Sequence, residues 1–137
     1  MQVTVMLNVA DVEASSRWYQ QMLGMQSGHG GPDFELLMDG EEISLMLHRR
    51  AAAHHPSSPG PGEPVGAGVC VYVRVADIHA IAARATEMGV DHGGVRFNEL
   101  AHQDELELRD PDGYFLTVCG PASWASPDQD HGNLDAY

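Results

Sequence analysis

Four short runs carry reactive or ligand-binding groups at every second residue. They are Thr4, Met6, Asn8; Ser44, Met46, His48; Cys70, Tyr72, Arg74; and Phe115, Thr117, Cys119. A hydroxyl, a thiol and an imidazole are the usual ingredients of nucleophilic or general-base chemistry. No Ser or Cys here has a His partner that the sequence places beside it, so the elements of a triad are not legible. His48 alone suits a general base, a structural hydrogen bond or a ligand contact. Cys70 is a thiol nucleophile if ionised and a small apolar group if buried. Cys70 and Cys119 are not a CxxC pair, and two free thiols fit a reducing compartment.

Those positions make sense only on strands. Between them stand Val3, Val5, Leu7 and Val9; Ile43, Leu45 and Leu47; Val69, Val71, Val73 and Val75; and Leu116 and Val118. Period-two alternation of this kind marks strands with one apolar face, which belongs beneath a helix. Here the second face is not charged. It holds Met, Tyr and Phe with a few hydrogen-bonding groups, the composition of a small-molecule cavity. An interface between chains or a dry interior would give a similar mixture. The cavity reading takes Met6, Asn8, Ser44, Met46, His48, Tyr72, Arg74, Phe115 and Thr117 as ligand contacts, with Trp124 from the tail beside them.

The chain repeats itself. Val9-Ala10-Asp11-Val12 returns as Val75-Ala76-Asp77-Ile78, each after an alternating strand and before a helix-compatible stretch ending at Gly24 or Gly89. Asp11 and Asp77 are N-cap residues, and the glycines suit the left-handed position past a helix end. Val12, Ser15, Tyr19, Met22 and Leu23 share one face of the first helix; Ile78, Ile81, Ala82, Ala85 and Met88 share one face of the second. Trp18 and Tyr19 read as packing. Strands are expected at Phe34–Met38 and Glu42–His48, then Gly94–Asn98, Glu105–Arg109 and Tyr114–Cys119, the last two joined by Asp110-Pro111-Asp112-Gly113. Gln26–Pro32 is a loop or a ragged strand; its glycines lack the setting of a phosphate cradle.

The expected fold class is α+β: two βαβββ modules forming curved mixed sheets around a cavity, with helices on the outer face. A single domain spans 1–137. Module 1 covers about 1–50, a Pro/Gly/Ser linker 51–66, module 2 about 67–120, and a polar tail 121–137. His54-His55 in the linker reads as a solvated pair.

Charge narrows the partners. Twenty Asp and Glu stand against seven basic residues, for a net charge of −13. Nucleic-acid backbones are excluded as partners, since they need basic surface. Cationic small molecules are attracted at long range. No run approaches the roughly 18 apolar residues of a membrane span, and the opening "VTVMLNV" does not read as a leader, so a cytoplasmic location is expected.

The stretches "NVADVEASSRWYQQMLGM", "VYVRVADIHAIAARATEMGV" and "ELELRDPDGYFLTVCG" resemble the vicinal oxygen chelate superfamily, which includes glyoxalase I, extradiol dioxygenases, fosfomycin-modifying enzymes and bleomycin-resistance proteins. The resemblance covers about residues 1–120. It implies a divalent-metal site on the cavity-facing strands, with ligands at Thr4, near Ser44, at Cys70 and at Thr117. None of these is His, Glu or Asp. Hard divalent ions in Lewis-acid or oxygen-activating sites want imidazoles and carboxylates, so no metal or other cofactor is expected. The departure favours the branch that the resemblance describes as binding without chemistry: acidic, metal-free homodimers that sequester a cationic, aromatic antibiotic, so the expected ligand is hydrophobic or aromatic, cationic or not. The alternatives are a metal-dependent glyoxalase-like lyase, isomerase or dioxygenase, and a metal-free enzyme using His48 or Cys70.

Overall fold

A computed structural model describes residues 1–50, 57, 59 and 63–123. Trp124 and His54-His55 lie outside the described residues. Within them the chain forms two helices and eight strands, arranged as two open four-stranded mixed sheets. The fold class is α+β, as the repeat implied.

The first half runs β1 (Met6–Val9), α1 (Val12–Leu23), β2 (Gln26–Ser27), β3 (Phe34–Asp39) and β4 (Glu42–Arg49). The second runs β5 (Cys70–Arg74), α2 (Ile78–Glu87), β6 (Arg96–Asn98), β7 (Gln103–Arg109) and β8 (Phe115–Gly120). The sheets have equivalent orders, β1-β4-β3-β2 and β5-β8-β7-β6. In each, the strand before the helix pairs in parallel with the last strand of its half, and the rest is antiparallel.

Local chemistry sets the helix ends. The Asp11 carboxylate accepts from the Ala14 N–H at 2.9 Å, and Asp77 accepts from Ala80 at 3.1 Å. Gly24 ends α1 at φ +72, a conformation that costs a side chain with a Cβ. Val12, Ser15, Ser16, Tyr19 and Met22 are buried on α1, and Ile78, Ile81 and Ala85 on α2. Leu23, Ala82 and Met88, expected on those faces, are only partly buried at the edges of the stripes.

Contacts divide the chain into two compact units, Met1–Gly68 with Asp110–Tyr114, and Val69–Arg109 with Phe115–Tyr137. In the first, α1 packs on β3 and β4 over Leu7, Val9, Leu37, Leu45 and Leu47. In the second, α2 packs on β7 and β8 over Leu106, Leu108, Leu116 and Val118.

Four strand expectations need correction. The first strand starts at Met6, not Val3, and leaves Val3 81% and Val5 46% exposed instead of beneath a helix. Alternation sets the side on which a residue points; whether anything covers that side depends on how far the neighbouring elements extend. Val69 is likewise exposed and Val71 only half-buried. The seventh strand begins at Gln103, two residues before the expected Glu105, because Asn98↔Gln103 pairing carries the ladder further. The sixth covers only Arg96–Asn98, since Gly94 takes a left-handed φ of +85.

Candidate functional site

Each sheet has one face beneath its helix and one face without one. In the first unit the open face is built from in-register rows. Met46 lies between Met6 and Leu36, and His48 lies between Asn8 and Phe34. These rows are apolar or aromatic, with one imidazole and one amide.

Several of these groups are already engaged. Asn8 is 6% exposed, and its Nδ2 donates to the Ser57 carbonyl at 3.3 Å and Oγ at 3.2 Å. The Asn8 backbone is held by Tyr114, whose hydroxyl donates to the Asn8 carbonyl at 2.9 Å and accepts from its N–H at 3.2 Å. This also covers polar backbone on an outer strand. His48 Nδ1 lies 3.0 Å from the Arg49 carbonyl, which orients the ring through its own backbone. Ser44 occupies a bulge: Leu37 pairs with Leu45 but Met38 pairs with Ile43, so Ser44 has no cross-strand counterpart on β3. It is exposed.

The face of the second sheet away from α2 has three rows across β5, β8 and β7, and on its middle strand Thr117 is 4% and Cys119 2% exposed, so the predicted ligand contact at Thr117 is buried. The first is Cys70, Phe115, Arg109; the second Tyr72, Thr117, Glu107; the third Arg74, Cys119, Glu105, continued on β6 by Arg96. The Arg109 guanidinium sits 4.9 Å from the centre of the Phe115 ring. Arg74 Nη1 reaches Gln103 Oε1 at 3.4 Å. Tyr72 keeps 51% of its surface exposed.

Glu105, Glu107, Arg96, Asn98 and Gln103 were not singled out by the sequence reading. The signal was present: Leu106 and Leu108 alternate with Glu105, Glu107 and Arg109, which fixes the acidic residues on the face away from the helix. Glu105 accepts from Asn98 Nδ2 at 3.0 Å and from Gln103 Nε2 at 2.9 Å. A cavity of about 240 Å³ opens beside these residues, lined by the Gly93-Gly94 turn, Arg96, Asn98, Glu105 and Glu107 among others.

The four positions at which the resemblance puts metal ligands do not fit a divalent ion. Cys70 Sγ and Thr117 Oγ1 lie 3.3 Å apart, each engaged by the other, and Thr4 and Ser44 offer only neutral hydroxyls. Neutral hydroxyls with one thiol lack the charge and basicity that a hard cation requires. Among the described residues no three His, Cys, Asp or Glu side chains group as ligands. Burial pushes the Cys119 thiol up, and Glu105 adds to this against Arg74 and Gln103, so Cys119 stays a protonated, unreactive thiol.

A second polar centre, in the first unit, is structural. Glu35 is 2% exposed. Its carboxylate accepts from Ser16 and Ser27 hydroxyls, both at 2.7 Å, and from the N–H groups of His29, Gly30 and Leu36. Burial by itself raises its pKa, but these donors together outweigh it and hold the carboxyl below its ordinary value. It closes the loop that follows β2.

The family model "Glyoxalase/Bleomycin resistance protein/Dioxygenase superfamily" matches residues 2–118. No curated protein matches the chain. Among solved structures, the bleomycin resistance determinant encoded on the transposon Tn5 is similar at 16% identity and TM-score 0.65, over 88% of this chain and 98% of that one. A lactoylglutathione lyase from Agrobacterium tumefaciens is similar at 15% identity and TM-score 0.67, over 92% and 97%. TioX from Micromonospora sp. ML1 is similar at 19% identity and TM-score 0.68, over 88% and 98%. At these identities the likeness concerns the fold.

Proposed function

Because the chain belongs to the glyoxalase/bleomycin resistance protein/dioxygenase superfamily, whose members share a fold but not one chemistry, we propose that it binds a small hydrophobic or aromatic molecule reversibly and without metal, as a sequestration protein does. The observation that carries this reading is the donor set at the four expected ligand positions, Thr4, Ser44, Cys70 and Thr117, which suits no hard divalent ion. The faces away from the helices support it further: Met6, Met46, Tyr72 and Phe115 supply apolar and aromatic contact, and His48 supplies a hydrogen-bonding imidazole beside them. An antibiotic of this chemical character is the kind of ligand meant. The bleomycin resistance determinant among the similar structures supports the same direction.

The working form in this proposal is a homodimer, with exposed Val3 and Val5 as apolar surface for a second copy to bury. Sedimentation equilibrium tests this, and a monomer at every concentration rejects it.

The test of function uses untagged, dialysed protein. Metal content is measured, and a panel of aromatic compounds is screened by thermal shift, since a ligand that binds only the folded state raises Tm. Bound compounds are then recovered and weighed by mass spectrometry. The expected result is a Tm increase indifferent to chelator, with the compound recovered unchanged. A chelator-sensitive shift, or a chemically altered compound, overturns the reading.

A further inference from the structure

We propose that the face of the first sheet away from α1 carries a site for a soft monovalent metal ion of the copper(I) class, held by the Met6 and Met46 thioethers and the His48 imidazole. The inference goes beyond the binding reading above and does not rest on it.

The placement comes from register. Met6 and Met46 are cross-strand partners in the parallel β1–β4 pair, and His48 stands two residues on from Met46 along β4. All three lie on one face, because Leu7, Leu45 and Leu47 between them are buried on the other. Neighbouring strands are roughly 5 Å apart, and residues two apart on a strand roughly 7 Å, so the three backbone positions form a small triangle. A methionine has three rotatable bonds, which let its sulfur close such a gap. The three residues are partly exposed, whereas Asn8, the remaining β1–β4 group of these two rows, is buried and already donates to Ser57.

The chemistry selects the ion. A thioether is neutral and polarisable, a poor ligand for a hard divalent ion and a good one for copper(I), and imidazole suits the same ion. His48 is oriented as a ligand would be. Its Nδ1 lies 3.0 Å from the Arg49 carbonyl, which can only accept, so Nδ1 carries the hydrogen and the neutral ring has its lone pair on Nε2. A backbone carbonyl that fixes the tautomer in this way is the usual arrangement behind a metal-binding histidine. Methionine also stands out on these strands. The other apolar residues of β1 and β4 are Leu, Val and Ile, and the two methionines are side by side. Leu36 and Phe34 continue the two rows on β3 as apolar walls, which limit water around a soft ion. The net charge of −13 raises the local concentration of any cation.

The probe is silver(I), a redox-inert ion with the ligand preferences of copper(I), added as the nitrate to the full chain carrying isotope-labelled methionine methyls. The Met6 and Met46 methyl signals are assigned by their loss in Met6→Leu and Met46→Leu, substitutions that keep side-chain volume and fold. The exposed Cys70 thiol also takes silver, so the titration runs past its saturation. The Met6 and Met46 methyls should move together, at lower silver than the methyl of exposed Met1, and the His48 Nε2 resonance should move with them. Met46→Leu and His48→Gln should each weaken the Met6 response about tenfold or more, since loss even of a ligand's outer partner costs roughly that much. Zinc(II) should leave both methyls in place. Met6 and Met46 responding no sooner than Met1 overturns the site and leaves ordinary thioether binding. A Met6 response unchanged by Met46→Leu or His48→Gln overturns it as well. A zinc response equal to that of silver overturns the soft-ion assignment. None of these outcomes touches the binding reading, which the aromatic panel tests in metal-free protein.

Discussion

The Tyr19 hydroxyl donates to Asp110 Oδ2 at 2.7 Å, across 91 positions of sequence, with both residues almost fully buried. The other Asp110 oxygen accepts from the N–H groups of Asp112 and Tyr114, and Asp112 in turn accepts from the Ala10 N–H at 2.8 Å. A turn encoded in the second repeat thereby completes the polar end of the first unit, at the start of α1 and the end of β1.

Tyr19→Phe should therefore destabilise the protein by about 1–3 kcal/mol, because the ring stays and a buried carboxylate loses a donor. Urea unfolding measures it. A change within error would show that the Tyr19–Asp110 bond contributes nothing net.

Two buried carboxyls respond oppositely to pH. Burial raises the Asp110 pKa, with the nearby Asp112 adding to it and the bonds from Tyr19, Tyr114 and Asp112 only partly opposing. Its contribution is most favourable below the ordinary Asp value and is lost as pH rises through the folded value. Glu35, held low, contributes stability above the ordinary Glu value that is lost as pH falls through its folded value. Stability measured between about pH 3 and 6 should thus decline less steeply on acidification in Glu35→Gln than in the parent. Parallel curves would contradict the hydrogen-bonded state assigned to Glu35.

Core truncations should rank by burial. Leu116→Ala removes a fully buried side chain between α2 and the second sheet and should cost about 2–5 kcal/mol. Val71→Ala, at a half-buried position, should cost less than Val118→Ala. Thermal or chemical denaturation gives the order, and a reversed order would mean that Val71 is covered more fully than described.

Tyr72→Ala should weaken binding of an aromatic probe while changing Tm little, since half of the residue already faces outward. Paired titration and melting experiments separate the two. A large fall in Tm with unchanged binding would make Tyr72 a packing residue.

The two thiols should differ in reactivity. Cys70 is exposed, whereas Cys119 is 2% exposed and burial pushes its thiol up. Iodoacetamide under native conditions should alkylate Cys70 first, with peptide mass mapping as the readout. Equal labelling of both cysteines would contradict the burial of Cys119.

The repeat, both N-caps, the Gly24 helix end and the order of the main strands were legible in the residues alone. These depend on dihedral preferences and short-range hydrogen bonds, and the chain writes those within a few positions: Asp11 needs only Ala14, and Asp77 only Ala80. The same holds for alternation, which separated Leu45, Leu116 and Val118 from Met46, Phe115 and Thr117. Tertiary structure decided what meets each face. It left Val3 and Val5 uncovered, placed Ser44 in a bulge, and turned the Asn8 amide toward Ser57. It also set Asp110 against Tyr19 and Glu107 beside a cavity. Those outcomes depend on register and on partners tens of residues away, and a side chain carries no local mark of a neighbour that only the folded sheet supplies.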